Sequence, residues 1–167
     1  MQQTRSVHKY THDQQMKNFE KLNYEGRPCG KVPKTINKLV STADSKAIKM
    51  HFDSNYVVPH IRGGILFSYL EDNFWTVTPE VLHAIIDVEP RLVCKDLAVP
   101  LLNSNNIPAL LALEERGYEI DQHFIEEFKA SIEGAYESES TKRIELNRYY
   151  TPLIQFLKDR GFNLELP

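Results

Sequence analysis

The chain has 167 residues, 41% of them hydrophobic and 26% charged, with a formal net charge of −3. That balance is globular, and eight Phe, eight Tyr and Trp75 exclude a disordered chain. The charge is unevenly spread: residues 1–50 hold ten Lys/Arg against four Asp/Glu, and residues 51–167 hold ten against nineteen.

Residues 1–35 read as a basic, loop-rich arm. Its first 18 residues lack the apolar stretch of a secretory signal. A short helix over 13–22 is predicted from Met16, Phe19 and Leu22. Gly26, Pro28, Gly30 and Pro33 then punctuate a loop. From Thr35 the pattern turns helical, and residues 36–167 form the predicted helical domain. Ile36, Leu39 and Val40 share one face. Asp44 or Ser45 caps a helix carrying Ile48 and Phe52. Gly63-Gly64 is predicted to break the chain. Ile65, Leu66, Tyr69 and Leu70 make the next stripe, which Asp72-Asn73 ends.

Three later segments share a start signal, a capping side chain followed by proline. Thr78-Pro79 opens a run with Val81, Leu82, Ile85 and Ile86, stopped by Pro90. Asn106-Ile107-Pro108 opens one with Leu110, Leu111 and Leu113. Thr151-Pro152 opens one with Leu153, Ile154, Phe156 and Leu157, after a helix over 144–150. The last two runs end in Arg116-Gly117-Tyr118 and Arg160-Gly161-Phe162, with glycine where a left-handed residue is wanted. They align at an offset of 44 residues. Between them Phe124, Phe128 and Ile132 lie on a helix that opens after Asp121, and residues 133–143 read as an exposed helix end and loop. No apolar run approaches the ~20 residues of a membrane span. The fold expected is all-α, a helix-pair repeat, with an irregular helical bundle as the alternative.

Leu113-Glu114-Glu115-Arg116-Gly117-Tyr118-Glu119-Ile120-Asp121 resembles the second helix and exit of an ankyrin repeat, as does Leu157-Lys158-Asp159-Arg160-Gly161-Phe162-Asn163-Leu164. Val99-Pro100-Leu101-Leu102 and Thr151-Pro152-Leu153-Ile154 are similar to the family's Thr-Pro-Leu-His start, although the second sits on the wrong helix. Asn105-Asn106 stands where the family places Gly-His. The resemblance implies an ankyrin-like solenoid that binds other proteins through loops and one helix face.

Little in the sequence points to chemistry. His8 and His12 have metal-type spacing but no third ligand. His51, His60, His83 and His123 stand apart among apolar neighbours and read as partly buried structural residues. Gly26 to Lys31 is one residue short of a phosphate loop, with Val32 where a hydroxyl is needed. Cys29 and Cys94 make no CxxC pair and read as free thiols of a reducing compartment. Glu114-Glu115 and Glu126-Glu127 read as solvated helix faces. No catalytic residue, metal or cofactor is expected.

The function expected is therefore protein binding, as an adaptor or inhibitor, in a cytoplasmic protein with no membrane partner. A bacterial effector or phage protein is one source of such compact repeats, and export without a leader peptide stays open. The partner-binding candidates are Phe74, Trp75, Arg116, Tyr118, Arg160 and Phe162, since Trp, Tyr and Arg dominate interface hot spots. The competing reading packs the four aromatics between repeats, and Tyr149-Tyr150 shares that ambiguity. A second hypothesis is nucleic-acid binding by Lys31, Lys34, Lys38, Lys46 and Lys49. A third is an enzyme whose site is assembled from scattered His, Glu and Tyr.

Overall fold

The structure, a computed structural model, describes residues 34–55, 57 and 59–167. The helix expected over 13–22, His8, His12, Cys29 and Lys31 lie outside the described residues. Among the described residues there are eight α-helices, two short 3₁₀ turns and no strand. None of these helices is long and apolar enough to cross a membrane. They fall into two compact units, one from the described part of residues 1–73 with 78–92, the other from 74–77 with 93–167.

The first unit contains α1 (Lys34–Val40), α2 (Ser45–Ser54), α3 (Pro59–Asn73) and α4 (Pro79–Val88), followed by a 3₁₀ turn at Pro90–Leu92. The Asp44 carboxylate accepts the Ala47 N–H at 3.1 Å and starts α2. The Thr78 hydroxyl accepts the Val81 N–H at 3.3 Å and starts α4. Pro79 sits in the first turn, where a missing N–H costs nothing. Both α1 and α2 pack on α4, which buries Val81, Leu82, Ala84, Ile85, Ile86 and Val88. Each Val, Leu or Ile among them contributes about 1.5–3 kcal/mol when taken from water.

The predicted break at Gly63-Gly64 does not occur, because α3 runs through both glycines. Two glycines cost a helix about 1 kcal/mol each. Burial of Ile61, Ile65, Leu66, Tyr69 and Leu70 along α3 outweighs that loss. A Cβ at Gly63 would sit 3.6 Å from Cγ of Glu89, an ordinary contact. The Asn73 amide donates to the Tyr69 carbonyl at 2.7 Å and closes the helix where the sequence ends it.

The second unit contains α5 (Lys95–Asn103), α6 (Ile107–Glu115), α7 (Gln122–Ser138), a 3₁₀ turn at Ser140–Lys142 and α8 (Arg143–Lys158). Helix α5 packs on α6 and α7, and α7 packs on α8. Asn106 caps α6 by accepting the Ala109 N–H at 3.2 Å, and Asp121 caps α7 by accepting the Phe124 N–H at 2.9 Å. Gly117 and Gly161 have φ of 96° and 89°. At each the glycine N–H and the next N–H reach back to the last-turn carbonyls, Glu114 and Leu113 in α6, Lys158 and Leu157 in α8. That is a Schellman ending, which L side chains rarely accommodate. Asn105 makes the same ending for α5 at φ 54°, so it supplies the left-handed residue in the α5–α6 turn.

Two local expectations fail here. Thr151-Pro152 opens no helix; it lies inside α8. The Thr151 hydroxyl donates to the Asn147 carbonyl at 2.6 Å. An interior proline costs about 3 kcal/mol, but Tyr150 before it and Leu153, Ile154 and Leu157 after it are all buried. Interrupting that stripe would forfeit more than the proline costs. Pro100 is likewise interior to α5, among buried Leu97, Ala98, Leu101 and Leu102, so it marks no repeat start. Over 133–143 the expected exposed helix end and loop is found: α7 runs to Ser138 and the turn at Ser140–Lys142 follows.

Candidate functional site

The segment 74–77 is a turn pinned by one side chain. The Asn106 carboxamide oxygen caps α6, and its Nδ2 donates to the carbonyls of Phe74 and Val77, each at 2.9 Å. Asn106 is buried, so these bonds are not in competition with water. Val77 is buried and Phe74 half-buried, while Trp75 stands 67% exposed. The indole lies against the Tyr149 ring, 6.3 Å between centroids.

Tyr149 is itself fixed. Its hydroxyl donates to the Asn103 carbonyl at 2.5 Å, at the end of α5. Its ring meets Tyr150 edge-on at 5.1 Å. From Tyr150 the ring contacts continue to Phe128, Phe124 and Tyr118. A column of aromatic side chains thus runs from the core of the second unit to the exposed indole. Burial pushes the phenol pKa of Tyr149 and Tyr150 up, so both are neutral at physiological pH. A large aromatic ring with only two side-chain torsions loses little entropy when a partner covers it.

The remaining candidates are engaged in other ways. Tyr118 is half-buried against Phe124, 6.2 Å away. Burial, with Asp121 nearby, pushes its phenol up to about 12. Phe162 is half-buried beyond Gly161, and Arg116 is exposed at the end of α6. Arg160 stacks over Phe156 at 3.9 Å and pairs with Glu114, Nη2 to Oε2 at 2.8 Å. Glu114, expected on a solvated face, therefore links the ends of α6 and α8. The sequence candidates separate into the Phe74-Trp75 turn, backed by Tyr149, and the two glycine-marked helix ends.

Lys34 and Lys38 on α1 and Lys46 and Lys49 on α2 are all exposed. His51 is half-buried, its Nε2 shielded from water with no hydrogen-bond partner among the described residues. His123 departs from the expected partial burial: it lies in the first turn of α7 with its side chain 79% exposed, 3.7 Å from Glu126. Its neighbours Phe124 and Ile125 take the inward face, which turns His123 outward. Among the described residues no group of three or more His, Cys, Asp or Glu side chains is placed to hold a metal ion.

Two features escape the sequence reading. One is the second role of Asn106, whose bonds to Phe74 and Val77 span 32 and 29 residues. The other is Glu89, only 2% exposed in the first unit. Arg91 donates to it through Nε at 2.6 Å and Nη2 at 3.0 Å, and Arg62 Nη2 lies 3.6 Å away. The Arg91 guanidinium holds the Glu89 carboxyl below the usual carboxylate range, against the opposing effect of burial. Only the Glu-Pro-Arg order, which crowds a charge pair into a turn, hints at this in the sequence. No known protein family, curated protein or solved structure matches the chain.

Proposed function

We propose that the chain is a protein-interaction module, an adaptor or inhibitor that presents Trp75 to a partner protein. The observation that carries this reading is an indole that lies against Tyr149 yet is left two-thirds exposed, at 67%. A tryptophan this large gains most when a partner buries it, and truncating such a hot spot costs about 2 kcal/mol of binding, roughly 30-fold.

The module is built, in this reading, from degenerate ankyrin-like helix pairs, α5/α6 and α7/α8. Its support is that both pairs close with the same Leu-x-x-x-Gly-aromatic ending and the same backbone geometry. The pairs are unequal, 9 and 9 residues against 17 and 16, so the repeat is irregular. The exposed lysines of α1 and α2 favour a second reading, contact with nucleic-acid phosphates.

One experiment separates these readings. Tagged wild-type chain and Trp75→Ala are used to capture proteins from native lysate, with and without nuclease. Proteins retained by the wild type after nuclease, and lost from Trp75→Ala with its helical circular dichroism intact, are the expected result. Equal retention by both chains overturns the role of Trp75. Retention abolished by nuclease favours the lysine reading instead. Phe74→Ala is a poorer probe, because a half-buried ring also contributes to packing.

A further inference from the structure

A cleft of about 580 Å³ lies in the second unit between the outer face of α7 and residues 163–167. Gln122, Ile125, Lys129 and Ile132 line its α7 side, and Leu164 and Leu166 its other side. Leu164 is buried, Glu165 exposed and Leu166 half-buried. Exposure thus alternates with a two-residue period, as it does along an extended backbone. Yet the backbone N–H and C=O groups of residues 163–166 have no hydrogen-bond partner among the described residues. Backbone groups left unpaired along an extended segment can template pairing with another chain.

The cleft also has a charge. Glu126, Glu133 and Glu165 line it; among the described residues of its lining Lys129, 3.8 Å from Glu133, is the one cationic side chain, and Arg143 donates to the Pro167 carbonyl at its end. The surplus of carboxylates suits a basic occupant.

We propose that this cleft docks an extended segment of a partner protein bearing Lys or Arg at alternate positions. The segment adds to residues 163–166 as a second strand, through main-chain hydrogen bonds, and sets its basic side chains against the three carboxylates. This surface shares no residue with Trp75, so it stands or falls separately.

The test uses the full chain and a fluorescein-labelled peptide, acetyl-Lys-Val-Lys-Val-Lys-Val-amide, read by anisotropy and by amide NMR shifts. Two further peptides carry N-methyl groups at odd or at even positions, which leaves the charge unchanged and blocks one edge. Saturable binding is expected, with shifts at residues 163–166 and on α7. One methylated peptide binds at least roughly tenfold more weakly and the other keeps its affinity, since only one edge faces the cleft. The triple variant Glu126→Gln, Glu133→Gln, Glu165→Gln, with unchanged circular dichroism, weakens binding by a similar factor. No saturable binding up to about 1 mM overturns the proposal. So do shifts confined to other residues, or equal binding by all three peptides, which would mark mere charge attraction.

Discussion

Replacing Glu89 with alanine removes the anion around which Arg62 and Arg91 are arranged. The two arginines respond differently. The Arg91 side chain is 63% exposed and returns to water at little cost. The Arg62 side chain is 15% exposed, and its Nε is already shielded without a partner among the described residues. It would keep a charge in the interior with nothing to offset it. Breaking a buried pair in this way costs about 3–5 kcal/mol. Because one arginine of the two is committed to the interior, the low end applies, about 3 kcal/mol for Glu89→Ala. That is a large part of a total stability of about 5–15 kcal/mol. The double variant Arg62→Leu, Glu89→Leu removes the stranded charge and fills the space, and should lie within about 1 kcal/mol of the wild type. Urea unfolding followed by circular dichroism measures both. The pH dependence adds a signed check. The folded-state pKa of Glu89 is lowered, so its contribution is present above the unfolded carboxylate pKa. It is lost as pH falls through the folded value. The stability gap between wild type and double variant should therefore shift against the wild type on acidification. If Glu89→Ala unfolds at the wild-type midpoint, or the double variant is as unstable as the single one, the buried-charge argument is wrong.

Other perturbations test the local architecture. Asn106→Ala removes a helix cap and leaves the Phe74 and Val77 carbonyls without their donor, so a loss of about 2–4 kcal/mol is expected. Trp75 fluorescence should shift in the same variant as its turn loosens; an unchanged spectrum and midpoint would show that the turn does not depend on Asn106. Gly117→Ala and Gly161→Ala meet no atom within 4 Å, so their cost is backbone strain alone, about 1–2 kcal/mol each by thermal or urea unfolding. A neutral result at either would mean that the helix end relaxes out of the left-handed conformation.

The punctuation of the helices was legible in the chain because each signal acts within one turn. Asp44, Thr78, Asn106 and Asp121 reach an N–H three residues ahead. Gly117 and Gly161 reverse the backbone over the last turn of their own helices. Trp75 and Phe74 stood out as interface types, but their exposure could not be read. Exposure of Trp75 follows from Tyr149 and Asn106, which lie far along the chain. The same distance hid the pairing of Arg160 with Glu114, 46 residues apart. Pro100, Pro152 and Gly63 misled for a related reason. A proline or glycine carries a fixed local cost, whereas the burial that outweighs it depends on what other helices bring to that face. Local rules set where a helix prefers to start and stop. Packing decides when that preference is overruled and which polar groups lose their water, and neither quantity is written within a few residues of the group it acts on.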